Sequence, residues 1–241
     1  MGKGKLRKFA ELARFPHVFE NFSHERPELI GKDGEVVDFR GRWSQDFFGN
    51  GHPLVLELAC GRGEYTVELA RRYPGRNFIG IDIKGARLWA GARQALEEGL
   101  ANVAFVRTRI EHLGAFFGRG EVSAMWITFP DPFPRKSKAN KRLTSPYFLD
   151  LYRGVLTAGA ELHLKTDSEI LFRYTLEVLS EREDYELEIR IDDIDAGARS
   201  KYPDLDICTY YERMHMREGR SIKYVRWRFR GVDHSSSEGE S

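Results

Sequence analysis

The chain of 241 residues is 41% apolar, enough for one enzyme-sized core, and its 38 lysine and arginine residues against 37 acids advertise no polyanionic partner. Two cysteines, Cys60 and Cys208, are too few for a disulfide framework and point to a reducing cytosol, and no run approaches the roughly 20 apolar residues of a membrane span. The charge is nevertheless segregated: five cations fill residues 135 to 142, four more open the chain in "MGKGKLRK", and eight acids crowd residues 181 to 195.

Residues 1 to 50 are expected to form an appendage, with a basic amphipathic helix over roughly 5 to 15 and a loop-rich piece through "GRWSQDFFGNG". From residue 51 short apolar runs alternate with helical periods. "PLVLELA", "NFIGIDI", "NVAFVRT", "SAMWITF" and "AELHLKT" are strands, and "EYTVELARRY", "KGARLWAGARQALEEG", "SPYFLDLYRGVL" and "SEILFRYTLEVLSE" are helices. Two closing strands, "YELEIRI" and "IKYVRWRF", follow with one polar connection between them. The alternation predicts an α/β fold, doubly wound, with a mostly parallel sheet of seven strands, an antiparallel final strand and ligands at the strands' carboxyl ends. The domain is expected to span 51 to 230, and the small polar residues of 231 to 241 a disordered tail.

The first strand runs through "LELACGRGEYT" into a helix, and Gly61 and Gly63 suit a tight turn against a ligand. A G-x-G alone is more readily a structural turn. Glu57 at the end of that strand would repel a pyrophosphate but suits a ligand with a cationic amino group, and Asp82 ends the second strand where an acid takes ribose hydroxyls. Thr66 stands where a dinucleotide fingerprint needs its third glycine, which argues against a nicotinamide dehydrogenase. The strand "SAMWITF" empties into "FPDPFPRKSKANKRL", where prolines forbid helix and hold Asp131 at a defined place. Arg135, Lys136, Lys138, Lys141 and Arg142 then read either as solvated surface or as a mobile arm for phosphate oxygens. The seven histidines show no metal-ligand spacing; His163 and His215 read as structural, and Trp89, Trp126 and Trp227 as core.

Taken together, "GRWSQDFFGN", "LELACGRGEYT", "FIGIDIK", "FPDPFPRKSKANKRL", "LHLKTD" and "TYYE" resemble, in order over roughly residues 40 to 230, the bacterial tRNA (guanine-N7)-methyltransferase family. The resemblance implies a Rossmann-like fold, S-adenosylmethionine as methyl donor and tRNA as substrate, methylated at guanine 46 of the variable loop. It implies cofactor contacts from Glu57, Gly61, Gly63, Asp82, Arg109 and Asp131, with Asp131 also catalytic. Arg135, Asp167, Thr209 and Glu212 match its substrate-binding positions, and Lys136, Lys138, Lys141 and Arg142 are expected on the tRNA backbone. Phe133 replaces a common tryptophan, Arg135 a common lysine, and Arg109 an acid near the adenine, for which Glu111 or a backbone contact could substitute.

Guanine N7 carries an in-plane lone pair, so it attacks a sulfonium methyl without first losing a proton. A carboxylate is then needed for the cationic product ring rather than for base catalysis. Asp167 could accept from guanine N1 and its amine, or cap the helix that follows. Two rivals remain. A methyltransferase for an exocyclic base amine would place adjacent prolines after the strand, whereas Phe133 separates Pro132 from Pro134; a non-catalytic RNA-binding module would not need Glu57 and Asp82.

Overall fold

The computed structural model describes residues 3 to 231; the sequence-expected tail lies, beyond Gly231, outside the described residues. Seven strands carry the fold: β4 (Leu54–Leu58), β5 (Asn77–Asp82), β6 (Val103–Arg107), β7 (Val122–Thr128), β8 (Leu156–Thr166), β9 (Tyr185–Ile191) and β10 (Lys223–Phe229). They lie in the order β6-β5-β4-β7-β8-β10-β9, parallel from β6 to β8, with β10 antiparallel to both neighbours. The chain leaves β4 on one side for β5 and β6 and returns on the other for β7, so the crevice at the carboxyl end of β4 is the topological switch point.

Where loops are expected, the N-terminal segment supplies three short strands, β1 (Val18–Glu20), β2 (Leu29–Ile30) and β3 (Val36–Val37), and the sheet becomes ten-stranded. β1 pairs in parallel with β6, covering what would be an open edge. Arg107 links this extension to the crevice: Nη1 donates to Glu20 Oε1 at 2.8 Å and Nε to the Ile83 carbonyl at 3.3 Å. The basic helix α1 (Lys3–Leu12) packs on α3 (Gly85–Glu97).

Period-two alternation divides the core between the two faces. Leu54, Leu56 and Leu58 of β4 join Ile79, Met125, Leu164 and Trp227 on one face, and Val55 joins Phe78, Phe105, Trp126 and Tyr224 on the other. Trp43, whose role the sequence leaves open, is fully buried with its indole N–H on the Phe116 carbonyl at 2.8 Å. The helices α2 (Glu64–Arg72), α4 (Leu113–Phe116), α5 (Pro146–Arg153) and α6 (Glu169–Ser180) fall between the expected strands. The connection from β9 to β10 holds two more, α7 (Ala196–Lys201) and α8 (Tyr210–Arg217).

Candidate active site

β4 is followed by Ala59, a non-glycine residue with φ 56°, and the turn into α2 uses Gly61 at 58° and Gly63 at 69°. Gly61 has open space around a would-be Cβ and is required only for its dihedral. At Gly63 a Cβ would also stand 2.5 Å from the Phe105 ring, so this glycine packs the turn onto β6 and does not face the cleft. Asp82 joins the two turns: Oδ2 accepts from Gly61 N at 2.9 Å and Oδ1 from Lys84 N at 2.7 Å. Glu57 lies beneath them, 3% exposed, and does not line the cleft. Its Oε1 accepts from Thr128 Oγ1 at 2.6 Å and Oε2 from Thr66 N at 2.8 Å and from the Thr66 hydroxyl. Burial pushes its carboxyl up to about 7, against the pull of these three bonds.

Three clefts meet at Ala59. One of about 620 Å³ lies among the glycine turn, the proline loop and α8. A second, about 460 Å³, is walled by Ile110, Leu143, Phe148 and Phe133, and a third, about 220 Å³, by Asp82, Ile83, Arg109 and Glu111. Asp131 is exposed and lines both the first and the second, with Oδ1 accepting from Phe133 N at 3.0 Å. Phe129 at φ 48° and Phe133 at 39° flank it in left-handed backbone, strain of roughly 1 to 3 kcal/mol each that the surrounding loop must hold. Arg109 is exposed at its cleft; Glu111 reaches both that cleft and the apolar one.

Arg142 is what holds the loop, and this corrects its expected place on a nucleic-acid backbone. It is 4% exposed, its Nε and Nη2 each lie 3.0 Å from the carbonyls of Pro132 and Phe133 respectively, and its guanidinium rests over Tyr174 at 4.4 Å. Carbonyls of a proline-rich turn have no regular partner, and a planar fork with five donors supplies it. Residues 136 to 141 form a 3₁₀ helix rather than a mobile arm, leaving Arg135, Lys136 and Lys138 exposed and Lys141 on the apolar cleft.

Asp167 and Thr209 line the opposite side of the large cleft. Arg220 Nη1 donates to Asp167 Oδ2 at 2.7 Å, and His215 Nδ1 lies 3.4 Å from the same oxygen. Thr209 caps α8, accepting from Glu212 N at 3.2 Å. Glu212 itself is a second correction: fully buried and away from the cleft, it pairs with Lys165 Nζ at 2.7 Å and Arg199 Nη2 at 3.3 Å. Lys165 also donates to the carbonyls of Leu205 and Ile207, so the Thr-x-x-Glu box clamps α8 to β8. Sequence reasoning missed Arg62, Arg87, Tyr211, His215 and Arg220, which all line the large cleft. The capping signature at 209 to 212 was the available signal that a helix begins there.

The model of a family described as "Putative methyltransferase" matches residues 51–225. The tRNA (guanine-N(7)-)-methyltransferase of Bacteroides thetaiotaomicron is 47% identical over 230 residues, 95% of this chain and 86% of that protein. The protein of the same name from Porphyromonas gingivalis is 50% identical over 212 residues, 88% of this chain and 84% of its own. The fold is shared with the 16S rRNA methyltransferase KamB, with a TM-score of 0.59 at 16% identity over 81% of this chain and 96% of that one. A 16S rRNA adenine methyltransferase from Catenulisporales acidiphilia, solved with its cosubstrate SAM, superposes with a TM-score of 0.53 at 15% identity over 83% and 95%. With 47% and 50% identity over 95% and 88% of its length, the chain belongs to the tRNA (guanine-N(7)-)-methyltransferase family.

Proposed function

We propose that the protein transfers the methyl group of S-adenosylmethionine to N7 of a guanine in tRNA, the variable-loop guanine 46 being the expected target, with Asp131 as the catalytic carboxylate. The observation that carries this reading is Asp131 itself: an exposed acid, held by strained backbone, on the wall common to the large cleft and an apolar one. Bound S-adenosylmethionine supplies an electrophilic methyl on a cationic sulfur. The cleft fits it in size and chemistry, since Gly61 leaves open space at the turn and each Asp82 oxygen keeps a lone pair for a ribose hydroxyl.

Ile83 and Ile110 suit the faces of an adenine, and Glu111 can accept from its exocyclic amine. Arg109 cannot, because a guanidinium has donors only. Glu57 acts from below, as a brace on the turn and a negative charge under the methionine end. Asp167, oriented by Arg220, is the acceptor for guanine N1 and its amine, groups that adenine does not present together. The Asp131 carboxylate lies beside the attacking ring and stabilises the positive charge that develops on it, with no proton to remove. The exposed cations of the proline loop hold tRNA phosphates, and the cytosol is the working compartment. No helix among the described residues is long and apolar enough to cross a membrane.

The test is direct. The protein is incubated with unmodified tRNA and labelled S-adenosylmethionine, the RNA digested and the methylated nucleoside identified. Label in 7-methylguanosine supports the reading; label in an amine-methylated nucleoside, or none, overturns it.

A further inference from the structure

The rim of the large cleft carries a second group of cations, across from the proline loop. Arg213 and Arg220, on and just beyond α8, are held by carboxylates, Glu64 at 3.3 Å and Asp167 at 2.7 Å. Arg62 and Arg87 differ. Both are exposed, both line the cleft, and neither meets a carboxylate among the described residues. Each lies over a tyrosine of α8 instead, Arg62 5.3 Å from the ring centroid of Tyr210 and Arg87 5.7 Å from that of Tyr211.

The tyrosines are fixed in place from the backbone. Tyr210 N donates to Glu64 Oε2 at 2.8 Å while Glu64 Oε1 pairs with Arg213, so one carboxylate at the start of α2 ties down the start of α8. Tyr210 itself is 47% exposed. An arginine resting on an exposed tyrosine is a weak contact, about two- to five-fold in an equilibrium, whereas a nucleobase stacked on an aromatic ring is worth about 5- to 150-fold. The layer of two arginines over two tyrosines is therefore easily reopened by a base and a phosphate.

The chemistry supplies the occupant. In an A-form helix N7 lies in a deep, narrow groove that side chains do not enter, so a guanine methylated there must leave the stack. Its neighbours then lose a stacking partner and their phosphates are drawn to the cleft mouth. We infer that Arg62, Arg87, Tyr210 and Tyr211 form a second RNA-binding wall that receives the nucleotides flanking the target guanine, guanidinium groups on phosphate and a tyrosine ring beneath an unstacked base. This rests on the proposed tRNA substrate, and it assigns the RNA grip to two walls facing each other across Asp131.

The experiment measures binding of an unmodified tRNA transcript to the full chain over a series of salt concentrations, with S-adenosylhomocysteine saturating throughout. Arg62→Ala with Arg87→Ala should lower the slope of log affinity against log salt by about 1.4 to 1.8, two phosphates' worth. Tyr210→Ala should weaken binding about 5- to 100-fold at unchanged slope, and Tyr210→Phe should restore it, because stacking needs the ring and not the hydroxyl. An unmoved slope in the double variant, or Tyr210→Phe as weak as Tyr210→Ala, overturns the second wall. A parent protein that methylates tRNA while these variants bind normally refutes only this inference; a parent that methylates no tRNA refutes the proposed function and the wall with it.

Discussion

Glu57 shows how a buried acid can weigh against the fold that holds it. Its buried carboxyl titrates at about 7 instead of the ordinary 4.5, so between those values the folded chain binds more protons than the unfolded one. Stability therefore falls as pH rises from about 4.5 to 7 and stays lowered above, by up to about 3 kcal/mol. Glu57→Gln should make the cofactor-free protein about 1 to 3 kcal/mol more stable near pH 8 and nearly neutral near pH 4.5, while weakening cofactor binding. Urea denaturation at the two pH values checks this; an equal gain at both would show that ionisation is not the cost. Arg142 behaves oppositely. Arg142→Ala leaves the Pro132 and Phe133 carbonyls without their donor, which should cost about 1 to 3 kcal/mol and slow methyl transfer, yet leave the salt slope of tRNA binding unchanged. Removing Lys136, Lys138 and Lys141 together should flatten that slope by about 2 to 3 without loss of stability. Filter binding across salt concentrations distinguishes the two. Asp82 and Asp131 were legible because strand ends and prolines fix where a side chain stands. Whether a cation in a loop is buried depends on carbonyls ten residues away, and nothing local in "KRL" signals that.

At the scale of elements, α8 is a polar helix that the pattern shows while hiding what anchors it, for a physical reason. "YYERMHMR" has no apolar stripe, and its one buried residue is an acid. It is attached to the sheet by the Lys165–Glu212 pair instead of by hydrophobic packing, so periodicity could not reveal its anchor. Burial lowers the Lys165 ammonium's affinity for its proton and Glu212 opposes this, which keeps each dependent on the other. Lys165→Met alone should destabilise by about 3 to 5 kcal/mol, since it leaves the buried Glu212 without its nearer cation and with only Arg199 at 3.3 Å, and adding Glu212→Leu should recover most of the loss. A denaturation double-mutant cycle measures it; additive losses would mean that the two residues act separately. The strands β4, β5 and β6 were legible for the converse reason, being buried on both faces and written as near-continuous apolar runs.

For the whole molecule, the N-terminal fifty residues were the least legible part. β1, β2 and β3 are two or three residues long, below the length at which alternation can be recognised, yet Phe19 and Leu29 enter the core beside Trp43. Deletion of residues 1 to 37 should expose the β6 edge and abolish cooperative unfolding, as seen by circular dichroism on heating, whereas deletion of residues 1 to 8 should leave it intact. What that assembled sheet delivers is one carboxylate at the mouth of two clefts, and the role of Asp131 is the claim on which the account depends. Single-turnover methylation of unmodified tRNA, followed across pH in the parent and in Asp131→Asn with the product identified, tests it most directly. The expected result is 7-methylguanosine, a parent rate with no rising limb near neutral pH, and a rate about 10²- to 10³-fold lower in the variant at preserved cofactor and tRNA affinity. A variant as fast as the parent, or a base-type limb that the substitution abolishes, contradicts it.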